Sequence, residues 1–328
     1  MCFREQDNWS APEKVMYRIM RENAFPSVYE AYQHVSGMLA LDMSRPDFRE
    51  VAEAVSKAQR RDSLLETLIG YFIWNLGNST SAKASRMRSY LKDTRGLDVC
   101  GCRRFSLRFV PDWNSVVRCM TINKGFTMKE LDEVCGVRNT EGYTTVGKTH
   151  VLAIPYRCAG EVKGFILRRI DSGDGPKYLA ISGLDRKSVF FNMPAYRDHK
   201  VILVVEAEFD AITATHYGFS NLVAKGGADI SGDRRHQVED AFARGEDRNY
   251  LCPDLDADSD GNPDFEKRHA AIMRSIHTIK NLAQGFDNIY VVCFPKVTDP
   301  DSFLQQEGPD RFNSLVKGAV PYWNYLAA

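Results

Sequence analysis

Five carboxylates stand where short apolar runs give out. Glu206 follows the run 201–205, Asp254 and Asp256 follow 250–253, and Asp299 and Asp301 follow 289–294 by way of residues 295–298. Ligands that are all oxygen, with no His or Cys among them, suit Mg²⁺ or Mn²⁺ rather than Zn²⁺. Gathered in one place, these groups would repel one another unless divalent cations neutralised them. An acidic cation site of this kind most often works on phosphates.

The elements that must position these groups are legible around them. Short β-branched runs bounded by turn residues read as buried parallel strands. Helix-like stretches lie between them, so the segment is βαβ-like and its strand ends converge on one edge of a sheet. Residues 1–85 read as helical. Val15, Met16, Ile19 and Met20 form one apolar stripe, and Ser27 with Glu30 fits a capping box. Two further helices are expected over 47–59 and 62–76, the second closing at Gly77, with a linker over 77–81. Residues 86–197 read as mixed α/β, with a helix over 126–134 and strands over 151–156 and 163–170 joined by a turn at 158–161. No internal repeat or low-complexity tract is present.

Length and composition set limits. A chain of 328 residues can bury a large core and hold two or three domains. Its formal net charge is zero, so any nucleic-acid binding must come from a local basic face. Eight cysteines are scattered, and the one close pair, Cys100 and Cys102, lacks the C-x-x-C spacing of a zinc site. Free thiols in a reducing cytoplasm are expected. The most apolar helix candidate, 64–76, is too short for a bilayer, which takes about 20 apolar residues. A soluble, cytoplasmic protein with no membrane partner follows.

Several stretches resemble a known family. VVEAEFDAITATHYGF is similar to the first motif of the Toprim domain, in which a catalytic Glu after a strand is followed four residues on by Asp, here Glu206 and Asp210. PDLDAD is similar to the Toprim D-x-D motif, and TDPDSFLQQEGPDRFNSLVKGAVPYWNYL resembles the end of a DnaG-type primase core. Upstream, VLAIPYRCAGEVKGFILRRI, GPKYLAIS and LDRKSVFFNM follow the order and spacing of that core's basic half, and residues 90–97 resemble its opening helix and turn. Ala207 stands where the family usually has Gly, and residues 257–263 intervene where its second motif usually runs into a turn and a helix.

The resemblance implies an α/β fold: a Toprim domain, Rossmann-like with a mainly parallel sheet, joined to a mixed α/β primase subdomain and helical termini. The expected division is a helical N-terminal region over 1–85, a basic subdomain over 86–197, a Toprim metal-binding domain over 198–308 and a helical tail over 309–328. Mg²⁺ or Mn²⁺ would be held by Glu206, Asp210, Asp254, Asp256, Asp299 and Asp301, with Glu206, Asp254 and Asp256 as the catalytic set. Asp210 is read either as a helix cap or as a further ligand. Arg168, Lys177 and Lys187 would contact template or nucleotide phosphates, and Lys225, Gly226 and Gly227 form a loop facing the metal.

Two motifs are set aside. Residues 142–149 match the phosphate-loop pattern letter for letter, but a polar segment precedes them and a strand-like run follows, where a strand and a helix are needed. Residues 256–261 begin like a calcium loop, but Lys267 stands where the bidentate Glu should be. The expected activity is a primase-type nucleotidyltransferase making short RNA primers. Its partners would be single-stranded DNA, ribonucleoside triphosphates and a replicative helicase. A Toprim nuclease and a non-catalytic nucleic-acid-binding module are the alternatives. The family's zinc module and helicase-binding domain are not recognisable, which suits a fragment or a phage or mobile-element variant.

Overall fold

The computed structural model describes residues 46–97, 105, 107–136, 149–158, 160–173, 175–182, 184, 190–226, 248–280 and 288–327. The stripe from Val15 to Met20, the capping box at Ser27 and Glu30, the Gly-rich stretch 142–148, Lys187 and Gly227 lie outside the described residues.

Where two helices are expected over 47–59 and 62–76, the chain forms a single one, α1 (Pro46–Asn78). No Gly or Pro stands at the expected break. Arg60 and Arg61 are good helix formers, and each reaches a neighbouring element. Arg60 donates to Glu130 and to the Gly125 carbonyl, both at 2.6 Å, while Arg61 donates to the Lys163 carbonyl at 3.1 Å. Leu65, Leu68, Ile69 and Phe72 recur at helical spacing and are buried. Ser81 then caps α2 (Ala82–Ser89) by accepting from the Ala84 amide, and a π-helical turn, Tyr90–Thr94, carries the chain on to Gly96.

The first sheet is antiparallel, in the order β1 (Arg108–Phe109), β2 (His150–Cys158), β3 (Glu161–Arg169) and β4 (Tyr178–Ala180). Between β1 and β2 come α3 (Trp113–Arg118), a π-helical turn and α4 (Met128–Cys135). Thr127 and Glu130 close a capping box on α4. The hydrogen bond from Arg60, with that from the Thr127 amide, holds the Glu130 carboxyl down at about 2. β2 and β3 form the expected hairpin, with Cys158 opposite Glu161, and α1 packs against β1 and β3. Phe72 meets Phe165 edge-on at 5.8 Å.

The second sheet has the order β6-β5-β7-β8-β9. After α5 (Pro194–Asp198) come β5 (Val201–Val205), α6 (Glu208–His216), β6 (Leu222–Ala224), β7 (Arg248–Leu251), α7 (Phe265–Lys280) and β8 (Ile289–Val291). Then follow α8 (Pro300–Lys317), β9 (Val320–Pro321) and α9 (Tyr322–Ala327). β5 to β8 are parallel and β9 is antiparallel at the edge. Alternate residues of β5 enter different apolar clusters. Ile202 and Val204 pack with Ile272 of α7 and Tyr322 of α9, whereas Leu203 and Val205 join Ile212, Phe303, Phe312 and the interior of the first sheet. Both faces are therefore buried, which is why the run 201–205 is unbroken rather than alternating. β6 lies on one side of β5 and β7 on the other, so the strand order reverses at β5. Open α/β sheets place their ligand crevice at such a reversal, beyond the carboxyl ends of the strands.

Among the described residues no helix is long and apolar enough to cross a membrane. Cys119, Cys135, Cys252 and Cys293 are free thiols.

Gly164 of β3 has φ 156°, and a Cβ there would lie 2.7 Å from Leu184 Cβ, a buried neighbour. Gly164→Ala should overpack this contact and destabilise the protein by about 1–3 kcal/mol. A thermal melt checks this; an unchanged midpoint would mean that Leu184 yields freely.

Candidate active site

The backbone brings the acidic groups together before any side chain acts. Glu206 leaves the end of β5, and its carbonyl accepts from the Gly226 amide at 3.0 Å. Gly226 has φ +72°, a left-handed conformation that suits glycine. Beyond β7, Cys252 donates to the Val204 carbonyl at 2.9 Å, which holds the approach to Asp254 beside β5. Leu255 and Thr298 exchange two backbone hydrogen bonds of 3.0 Å. That pairing sets residues 254–256 alongside Asp299 at the start of α8.

Each carboxylate then finds a different environment. Asp254 Oδ1 is buried with no hydrogen-bond partner. Burial first, then the charges of Glu206, Asp299 and Asp256, push its carboxyl up to about 8, while Lys225 opposes the shift. Asp256 is exposed and pairs with Lys267 at 2.5 Å. Asp299 caps α8, accepting from the Ser302 amide at 2.6 Å. Asp210 is buried. It accepts from the Ala207 amide at 2.9 Å, closing the first turn of α6, and from the Asp301 amide at 3.3 Å. Burial, with Asp254, Asp299 and Asp301 nearby, raises its carboxyl well above the usual range. Asp301 is also buried. Its Oδ1 accepts from Thr213 at 2.5 Å and Gln305 at 2.7 Å, and its Oδ2 pairs with Arg95.

Glu206, Asp210, Asp254, Asp256 and Asp299 are thus coupled through charge, while Asp301, whose charge also reaches Asp210, is paired with Arg95. Among the described residues no three His, Cys, Asp or Glu side chains converge closely enough to clasp an ion as they stand. The donor set is nonetheless all oxygen, and the partnerless Asp254 Oδ1 is an acceptor that a cation would satisfy.

Beside this edge lies a cationic, aromatic array. Arg168 of β3 is directly across from Tyr178 of β4 and bonds its hydroxyl. The Arg168 guanidinium lies 4.8 Å from the Tyr178 ring centre and 4.7 Å from that of Phe209; Arg95 lies 4.5 Å from Phe209. Arg95 Nε also donates to Tyr90 at 2.7 Å. Such cation–π contacts accommodate guanidinium groups that have lost water. Lys177 stands exposed at the rim. Partial desolvation, with Arg168 and Arg95 nearby, lowers its pKa. Lys225 follows β6, and its amide donates to the Val205 carbonyl at 3.0 Å.

Phe209 and Glu208 were not singled out by sequence. Glu208 is buried and accepts from the Tyr156 hydroxyl of β2, tying α6 to the first sheet. Their place beside the motif residues Glu206 and Asp210 was the available signal. Arg95 and Tyr178 lay inside stretches already noted, 90–97 and GPKYLAIS.

The fold and site define a two-sheet α/β protein in which an acidic edge of the parallel sheet adjoins an arginine–tyrosine face. No family model matches the chain. In sequence it is 26% identical over 318 residues to a DNA primase of Clostridium acetobutylicum, covering 94% of this chain and 49% of that protein. In structure it is similar to the RNA polymerase domain of Mycobacterium tuberculosis primase DnaG, with a TM-score of 0.66 and 23% identity over 81% of this chain and 85% of that one. It is also similar to a DnaG primase catalytic domain bound to single-stranded DNA, with a TM-score of 0.61 and 22% identity over 81% of this chain and 83% of that one. In sequence the chain is similar to bacterial DNA primases, and in fold to the DnaG-type primase catalytic core. It spans about half the length of the curated relatives it matches.

The raised carboxyl of Asp254 has a consequence for stability. Between the ordinary value of 3.8 and about 8, the unfolded chain has released this proton while the folded chain still holds it. Folded-state stability must therefore fall as pH rises through that window. In chelator, the thermal midpoint should decline from pH 5 to pH 8, and Asp254→Asn should flatten the decline and raise the midpoint at pH 8. Parallel profiles for the two proteins would show that Asp254 ionises like an exposed carboxylate.

Proposed function

We propose that the chain is the catalytic part of a DNA primase, joining ribonucleotides on a single-stranded DNA template at a Toprim-type metal site. The observation that carries this reading is Asp254, whose buried oxygen lacks a partner at the crevice where β5 and β7 end. Glu206, Asp254, Asp256 and Asp299 are the groups that would hold Mg²⁺ or Mn²⁺. When bound, such a cation acidifies a primer 3′-hydroxyl and offsets charge on the leaving pyrophosphate.

The protein's own groups do the rest. Lys267 holds Asp256 at the crevice mouth, and the Ser302 amide orients Asp299. Gly226 lets the backbone after β6 approach closely, and Lys225 adds a positive charge where triphosphate oxygens would lie. Lys177 and the array behind it provide a narrow basic face for the template, which a chain of zero net charge requires. The relatives named as DNA primases and the structural neighbour bound to single-stranded DNA support this assignment of template.

The test is primer synthesis by the purified chain on single-stranded DNA with ribonucleoside triphosphates and Mg²⁺ or Mn²⁺. Short oligoribonucleotides are expected, and Asp254→Ala should abolish them while the protein stays folded. Strand cleavage without synthesis, or no product with wild type under any of these conditions, would remove the primase reading.

A second measurement addresses the basic face. Lys177→Ala should weaken binding to a single-stranded oligonucleotide and reduce the slope of log affinity against log salt by about 0.7, the loss of one phosphate contact on a single strand. An unchanged slope would place Lys177 off the template path.

A further inference from the structure

Asp301 is the last member of the acidic series, yet its surroundings differ from the rest. It is 1% exposed and its oxygens are already engaged. Oδ1 accepts from Thr213 of α6 and from Gln305, one turn along α8, and Oδ2 pairs with Arg95. An ionised carboxylate offers about four lone-pair positions, and three of these are committed to Thr213, Gln305 and Arg95. The contrast with Asp254, whose buried oxygen is bare, is direct.

The partner explains why the charge is there. Arg95 and Arg168 both lie against Tyr90 and Phe209, with guanidinium carbons 4.5–5.6 Å from those ring centres. Two guanidinium groups so close and so buried repel each other, and neither can lose its proton to relieve the strain. Asp301 is the carboxylate that pairs with Arg95, and its charge also favours the charged form of Arg168. The pair joins chain segments 206 residues apart, the turn before the first sheet and the helix between the last two strands of the second.

We infer that Asp301 is a positioning residue for the template-facing basic array, holding Arg95 and through it Tyr90 and Arg168, and is not a ligand of the cation. This rests on the primase reading for what the basic face binds, but the ion pair does not. Without the Asp301 charge, the two guanidinium groups would move apart and the face presented by Lys177 and Tyr178 would lose its register.

The test compares wild type with Asp254→Asn, Asp301→Asn and Arg95→Met. Mn²⁺ binding is followed by EPR titration and single-stranded oligonucleotide binding by fluorescence anisotropy. Asp254→Asn should weaken Mn²⁺ binding by about tenfold or more, the least expected of a direct ligand when loss of a merely supporting group costs about 10–100-fold. Asp301→Asn and Arg95→Met should leave it within about twofold, while each lowers oligonucleotide affinity by about fivefold or more, as expected for losing a charge-assisted contact. The double variant should be no worse than Arg95→Met alone, because both changes break one pair.

A loss of Mn²⁺ affinity in Asp301→Asn matching that in Asp254→Asn overturns the inference. So does unchanged oligonucleotide affinity in Arg95→Met, and that variant decides the matter if Asp301→Asn does not fold. If neither wild type nor Asp254→Asn binds Mn²⁺, the metal site proposed above fails, while the oligonucleotide measurements still decide whether Asp301 holds the basic face.

Discussion

Repulsion among carboxylates confined at the ends of parallel strands is the constraint around which this molecule is arranged. Nothing in the side chains would bring Glu206, Asp254 and Asp299 together, since each raises the cost of ionising Asp254. The backbone imposes the arrangement. The strand order reverses at β5, and the paired backbone bonds of Leu255 and Thr298 fix the second and third acidic groups side by side. The fold meets the cost locally. Asp210 and Asp299 are given amide donors, Asp256 is given Lys267, and Asp254 remains the unsatisfied member.

The two sheets are joined by more than a shared apolar interior. Tyr156 of β2 reaches Glu208, Arg168 of β3 reaches Phe209, and Arg95 reaches Asp301. Two of these contacts fall on consecutive residues at the start of α6, next to Asp210. The short stretch from Glu206 to Asp210 therefore serves both sheets at once. A substitution that moves Phe209 would disturb the arginines and the acidic edge together.

Much of this was legible in the sequence. The run 201–205 forms β5 with the expected bounds, and the hairpin around residues 158–161 forms as its turn residues indicate. The position of Glu206 directly after β5 followed from the same patterning, whereas Asp299 lies beyond β8 as the cap of α8. The unbroken α1 was less legible, because what carries it through Arg60 and Arg61 is partners 65–102 residues away, on Gly125, Glu130 and Lys163. The inward orientation of Asp301 was illegible for the same reason. In sequence it is the second acid of a D-P-D motif, and only the distant Arg95 separates it from Asp299. Local pattern identifies strands and motifs, whereas the pairing of one carboxylate with an arginine while another is left without a partner is a property of tertiary contacts.

The edges of the parallel sheet have one more consequence. A strand with an unpaired side offers a template on which another chain can extend the sheet. Here Phe191 exchanges two backbone hydrogen bonds with Ala224 along the outer side of β6, and Asn192, in a left-handed conformation, donates its side-chain amide to the Leu222 carbonyl. At the opposite side β9 is two residues long and includes Pro321, which has no amide hydrogen to offer. Both flanks thus carry features that blunt an edge against strand addition.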